Sequence, residues 1–344
     1  MAIKYYLTNV LNKTFLHKYL MIRFFNKHKN ETIVQKVQNI LADSSSFRVR
    51  ITYDLSESPE THADIMGALM LARFYGSIGK QVEFIWLHSE LNPKGVLYNQ
   101  IQKNRPQYID NQRELIHNVL SSFNNILIYE SIPNSRTDIH LNDISMSINR
   151  PLYQVAELIL NESAKFILKT QSQIPEKFFL DFKVVKSTNF IAINFRFSEI
   201  ESRRNPDLSS LLRDISMIHK YFPNSKIVIF SDPIGMTYVY KNLFKLSFPK
   251  KINFRDIIIE PQLSNNYSDA FNEILKCKFF FMRKGGGMAI PIYYSTIPYL
   301  VVDNDFGGIL SRRGNKNFCF STDKQSIVRI SRRSKLNRFL ESLA

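Results

Sequence analysis

Residues 283 to 287 read Arg-Lys-Gly-Gly-Gly, and six of the chain's eleven glycines fall between residues 285 and 314. Three successive residues without a Cβ exceed what one tight turn needs, so something must come close to the backbone there. Amides left open after a strand and before a helix suit an anion, because the N–H groups and the helix dipole point at it and no side chain blocks the approach. Gly285, Gly286 and Gly287 are therefore expected beside a phosphate or a sugar. Arginines stand at comparable places. Asn194-Phe195-Arg196 ends an apolar run and leads into a loop that holds Arg203, Arg204 and Asn205. Together with Arg283, these guanidinium groups suit the forked, charge-assisted hydrogen bonds that clamp a diphosphate. A third apolar run ends in Ser231-Asp232-Pro233, where Asp232 either binds a ribose or sugar hydroxyl or caps the helix that follows.

Two familiar glycine motifs do not account for the triplet. A Walker loop needs Gly-Lys-Ser/Thr after its glycines, whereas here Lys284 precedes them and Met288 follows. A dinucleotide fingerprint is nearer: Gly285 and Gly287 match its first two glycines and Asp303 ends the next strand, but Ile290 occupies the third glycine position. The first half of the chain offers proton-transfer groups instead. An apolar run from residue 48 ends at Asp54 and leads to Glu57, His62 and Asp64. Asp54 is a candidate substrate contact, and Glu57, His62 or Asp64 could act as a general base or else serve as a cap or solvated charge.

The elements that must position these residues alternate. "RVRITYDL" (48–55) reads as a buried strand and residues 61–79 as a helix closed near Gly79, followed by strand "QVEFIWL", a helix around 111–123 and strand "NILIYES". Residues 131–150 are polar and without period, which suggests a connection between domains. A helix over 151–168 follows. Alternation then restarts with strands at 190–197, 226–232, 254–261, 278–282 and 297–303, each joined to the next through a helix. Such alternation predicts an α/β protein with two Rossmann-like, doubly wound parallel-sheet domains facing across a cleft, the second built on five strands. The expected divisions are a basic segment over 1–45, an N-terminal domain over 46–170, a C-terminal domain over 171–310 and a basic segment over 311–344. Ligands of such sheets bind outside the carboxyl ends of the strands, which is where the candidate residues fall.

Composition limits the alternatives. With 44% apolar and 22% charged residues in 344, the chain can bury two cores. Cys277 and Cys319 form neither a disulfide framework nor a metal spacing, as expected of a cytoplasmic protein. The first helical turns are interrupted by Lys13, His17, Lys18 and Arg23, so no signal peptide is read, and the charge-free stretch Met288–Val302 is too short to span a bilayer. The net charge of +16 belongs to the ends: residues 1–30 hold six Lys/Arg and no acid, and residues 312–338 hold nine against Asp323 alone. No nucleic-acid-reading motif accompanies it, and no specific nucleic acid is expected. The mixture of Phe, Leu and Lys in "FLHKYLMIRFFNKHK" fits a helix on an anionic membrane surface through residues 1–30, or one packed on the domain.

The order strand-Arg196, strand-Ser231-Asp232, then "CKFFF" running into a small-residue loop resembles the C-terminal donor half of GT-B glycosyltransferases. It is most similar to the bacterial nodulation, core α1,6- and protein O-fucosyltransferases. The resemblance covers about residues 188 to 305. It places the family's His-x-Arg-Arg motif on Asn194 to Phe197, keeping only its first arginine, and its Gly-Ser-x-Ser loop on Gly285 to Met288, without the serines. It implies a metal-independent glycosyltransferase using a nucleotide sugar such as GDP-fucose, with Arg196 on the donor's phosphates and a glycan or lipid-linked acceptor on the first domain. No cofactor or metal is implied, the arginines substituting for a divalent cation. A nucleotide-sugar epimerase or hydrolase of the same fold, and a non-catalytic basic protein, are the other readings of the sequence.

Overall fold

The computed structural model describes residues 48–55, 62–88, 105–131, 138–148, 152–181, 188–195, 208–231, 233–243, 259–262, 267–283, 290–303, 319–329 and 333–344, with 31, 34, 35 and 39 singly. In the first unit, strands β1 (Arg48–Asp54) and β2 (Gln81–Leu87) run parallel in continuous register, from Arg48 opposite Gln81 to Asp54 opposite Leu87. β3 (Ile126–Tyr129) and β4 (Ile139–His140) complete a four-stranded parallel sheet in the order β3-β2-β1-β4. β2 is buried along nearly its whole length, as a parallel strand covered on both faces must be. Helices α1 (His62–Ser77), α2 (Arg105–Leu120), α3 (Leu141–Ile148) and α4 (Leu152–Thr170) connect and cover it.

Residues 131–150, expected to join two domains, instead supply β4 and α3 to the first sheet. β4 pairs with β1 through Ile51 opposite Ile139 and Thr52 opposite His140. Two residues have no period to read. Asn142 continues the pairing with its side chain, accepting from Asp54 N–H at 2.9 Å and donating to Asp54 O at 2.7 Å. Its amide thus replaces a further ladder rung.

In the second unit, six parallel strands follow the order β10-β9-β8-β5-β6-β7: β5 (Phe190–Asn194), β6 (Lys226–Phe230), β7 (Ile259–Gln262), β8 (Phe279–Arg283), β9 (Tyr299–Asp303) and β10 (Gln325–Arg329). Five of these are the expected strands. The sixth lies in the basic C-terminal stretch, where its charged neighbours hide it. Helices α5 (Leu208–Tyr221), α6 (Pro233–Leu243) and α9 (Arg333–Leu343) cover one face, and α7 (Tyr267–Ile274) and the single turn α8 (Ile290–Tyr293) the other. Strand alternation separates the faces: Ile191, Ile193, Phe279, Phe281, Leu300 and Val302 pack with α5, α6 and α9. Ala192, Phe280, Met282, Tyr299 and Val301 belong to a core that continues into the first unit.

That continuity is built around α1, which is buried from Asp64 to Gly76. Gly67 lets it approach α4 closely: a Cβ there would meet the Ala156 Cβ at 2.9 Å. Arg73, 4% exposed, extends from α1 into the segment after α4. Its guanidinium donates to the carbonyls of Val119, Phe178 and Phe179, each at 2.7 Å, and to Ser122 Oγ at 3.2 Å. Phe178 packs edge-on against Phe74 of the first unit and against Tyr294 and Phe320 of the second. Leu180 N–H donates to Tyr294 O at 3.0 Å, and Thr296 N–H to the Asp181 carboxylate at 3.0 Å. From α4, Asn161 Oδ1 accepts from Cys319 N–H at 3.1 Å.

Arg73→Lys keeps the charge but not the planar fork that reaches three carbonyls at once. The expected loss is about 3 kcal/mol, read as a lower urea midpoint. The joint also reports through its phenols. Burial raises the Tyr75 and Tyr299 hydroxyls to about 12 and Tyr294 well above 10. Their stabilising contribution is complete below the unfolded value of about 10 and is lost as pH rises through the folded values. Alkaline titration followed by tyrosinate absorbance and circular dichroism should therefore show these three phenols ionising only together with unfolding.

Candidate functional site

The connections of the second sheet diverge between β5 and β8. From β5 the chain winds outward through β6 and β7, then returns to β8 on the other side. A crevice opens at the carboxyl ends where such connections part. Asn194 stands opposite Met282 there, and Arg283 is the last residue of β8. The carboxyl ends of β5 and β8, far apart in sequence, are thus neighbours, and in the sequence they lead to Arg196 and to the glycine triplet. β6 flanks β5 on its other side, and Phe195 extends the pairing by donating to Phe230 O at 2.9 Å. Its ring, 1% exposed, stacks on Tyr238 with centroids 6.2 Å apart.

The described floor of this mouth is polar but uncharged. Asn194 is buried and donates through Nδ2 to Met282 Sδ at 3.5 Å, a weak acceptor. Ser231, 7% exposed, follows β6, and its Oγ has no hydrogen-bond partner among the described residues. Leaving a buried hydroxyl unsatisfied costs about 1–3 kcal/mol, and a partner that arrives with a ligand is one physical reason to retain it. Arg196, Arg203, Arg204, Asn205, Asp232, Gly285, Gly286 and Gly287 lie outside the described residues, as does the side chain of Arg283.

Beyond the glycines the first described helix, α8, runs from Ile290 to Tyr293. β9 ends at Asp303, and the sequence continues Asn304-Asp305. This Asp-x-Asp triplet is of a type suited to a divalent cation, and its side chains lie outside those described.

In the first sheet the connections diverge between β1 and β4, and Asp54 ends β1 at that point. Glu57 lies outside the described residues, and His62 opens α1 with its side chain outside them. Asp64, 1% exposed, accepts from Tyr153 N–H at 2.8 Å through Oδ1. It caps the start of α4 and holds it against α1, so of the roles open to it in the sequence, capping is the one observed.

A neighbouring group was not visible as a site in sequence. His88 and Glu130 follow the carboxyl ends of β2 and β3, with His88 Nε2 3.0 Å from Glu130 Oε2. Arg113 of α2 binds the same carboxylate through Nε to Oε1 at 2.7 Å and Nη2 to Oε2 at 3.1 Å, and Asp110 through Nη1 at 2.7 Å. These bonds, Arg113 first, lower the Glu130 carboxyl to about 2. The His88 ring lies over Trp86, with centroids 4.4 Å apart. The available signal was position: each is the first polar residue after an apolar strand.

No protein-family model and no curated protein matches the chain. Among solved structures, it is similar to the E. coli heptosyltransferase WaaC with ADP over 86% of its own length and 100% of that chain, at 11% identity and a TM-score of 0.44. A glycosyl transferase family 9 protein from Veillonella parvula aligns over 86% of this chain and 90% of its own, at 8% identity and TM-score 0.38. A putative UDP-N-acetylglucosamine 2-epimerase from Listeria monocytogenes aligns over 74% and 78%, at 12% identity and TM-score 0.30. All three scores are below 0.5, and the site is therefore located from this chain's own strand ends.

Ser231→Ala separates stability from binding at this mouth. Removing a hydroxyl with no partner should raise the unliganded protein's unfolding midpoint, by about 1 kcal/mol, while weakening nucleotide binding. Both are read from one thermal-shift series with and without nucleoside diphosphate.

Proposed function

We propose that the protein is a glycosyltransferase that binds a nucleotide sugar at the β5/β8 mouth and passes the sugar to a hydroxyl of a glycan or lipid-linked acceptor on the first unit. The observation that carries this reading is the convergence at one topological switch point of the strand ends leading to Arg196 and to the glycine triplet, beside the unpartnered Ser231 hydroxyl. Arg196 directly follows Phe195, and with Arg204 and Arg283 it neutralises the leaving nucleoside diphosphate. The glycine amides hold the phosphate oxygens or the sugar. Asp232 and Ser231 bind hydroxyls of the donor.

The resemblance noted in the sequence favours a GDP-fucose-like donor. Asn194 replaces that family's histidine, so the donor's neighbour on β5 is a neutral amide. On the acceptor side, Asp54 and Glu57 stand at and beyond the end of β1. The basic, aromatic stretch over residues 1–30 supports a peripheral position on an anionic membrane, which would bring the enzyme to a lipid-linked acceptor.

The test is a thermal-shift screen against GDP, UDP, ADP, CMP and dTDP sugars, followed by assay of nucleotide release. One nucleotide class should raise the midpoint, because a ligand that binds only the folded state stabilises it by mass action. Arg196→Ala should weaken that binding at least tenfold, about 1.4 kcal/mol. Chelation should leave the rate unchanged if arginine supplies the positive charge; restoration by Mg²⁺ would assign that role to the Asp303-Asn304-Asp305 triplet instead. Absence of any shift and of any nucleotide release would overturn the reading. Sugar epimerisation or free sugar without acceptor consumption would reassign the reaction on the same fold.

A further inference from the structure

We infer that the joint between the two units loosens as pH rises through neutrality, with the side chain of Glu157 as its sensor; this goes beyond the glycosyltransferase reading and does not depend on it. The placement is carried by α4. Glu157 and Asn161 stand four residues apart on that helix and therefore share a face. Asn161 shows what the face meets: its Oδ1 accepts from Cys319 N–H at 3.1 Å, and its carbonyl accepts from Cys319 Sγ at 3.5 Å. Phe320 follows in the chain and stacks on Tyr294, which is 1% exposed. The Glu157 carboxyl lies within electrostatic reach of that phenol, so it looks across the joint at the second unit. Among the described residues no cation pairs with it and no donor reaches its oxygens; Lys165, further along α4, bonds Glu162 at 2.5 Å instead.

A carboxyl in such a place favours its neutral form, because burial penalises the charge and no opposite charge offsets it. Burial raises Glu157 to about 7 from an ordinary 4.5. A joint that opens to water returns the group toward the ordinary value. The proton is therefore held more tightly in the closed joint, whose added stability is complete below about pH 4.5 and is lost as pH rises through about 7. From pH 6 to pH 8 this amounts to roughly a tenfold shift toward opening. The other titratable groups on the elements packed against α4 have partners of their own. From α1, Asp64 accepts from Tyr153 N–H, Arg73 donates to three carbonyls and Tyr75 bonds Ser163 Oγ at 3.1 Å. From α3, Asp143 lies 3.4 Å from His140. At the joint itself, Asp181 accepts from Thr296 N–H, and the Tyr293 ring packs edge-on against Tyr299. Burial lifts the Cys319 thiol to about 11 and the Tyr294 phenol well above 10, so neither titrates near neutrality.

Hydrogen exchange of the full chain, with no nucleotide present, tests this through two amides that donate across the joint, Leu180 and Thr296. After correction for intrinsic rates, protection in peptides that contain them should fall about tenfold between pH 6 and pH 8, while β2 keeps its protection. Glu157→Gln, neutral at every pH, should hold the protection of the joint constant within about threefold, and Glu157→Ala should do the same. A wild-type joint whose protection does not change with pH overturns the inference. So does an equal fall in both neutral variants, which would assign the titration to another group such as His62. A parallel fall in β2 would mean global unfolding and overturns it as well. The measurement involves no nucleotide, so the glycosyltransferase reading stands or falls separately.

Discussion

Arg73 is the interaction on which the arrangement of the two sheets depends. A guanidinium that is 4% exposed needs its donors matched by acceptors, since an unpaired buried charge is far more costly than a paired one. It finds them in three main-chain carbonyls, one at the end of α2 and two in the segment that leaves the first unit. Burial lowers its pKa to about 10, with Asp181 opposing, so the group remains charged at neutral pH. The bonds fix Phe178, whose ring then packs with both units, and Leu180 and Asp181 continue the attachment to the turn that starts β9. The link is polar at its centre and aromatic around it, so it has both direction and buried area.

The same division between apolar strand bodies and polar strand ends organises the rest. Within the sheets, alternate residues fill two cores, and their backbone groups are matched by parallel ladders. Beyond the last rung, backbone and side-chain groups require other partners. At β1 the partner is Asn142, and at the start of α4 it is Asp64. At β6 the described structure provides none for Ser231. The end of β1 and the start of α4 are thus closed by internal hydrogen bonds, and the end of β6 is not, among the described residues. Glu130, by contrast, accepts from both Arg113 and His88.

Much of this was legible because it is local. The apolar runs over 48–55, 81–87, 190–194, 226–230 and 299–303 announce buried parallel strands by residue type alone, and the helices between them by period. The candidate residues at the ends of β5, β6 and β8 follow from those assignments. β4 and β10 were hidden for opposite reasons: one is two residues long, and the other lies among basic residues whose charge dominates its pattern. The His88–Glu130 pair could be found only as two polar residues after strands, since nothing in the spacing of 88 and 130 says that β2 and β3 are adjacent.

By itself, then, the sequence determined the fold class, the strand bodies and which residues stand at their ends, because burial and period are properties of short segments. Tertiary structure alone decided what those ends do. The order β10-β9-β8-β5-β6-β7 sets the glycine-bearing strand beside the arginine-bearing one, a choice of strand neighbour that involves contacts across some 88 residues. Tertiary packing also turned Asp64 into a cap and left Ser231 without a partner among the described residues. Hydrogen-bond satisfaction is a property of the assembled chain, and no local pattern records it.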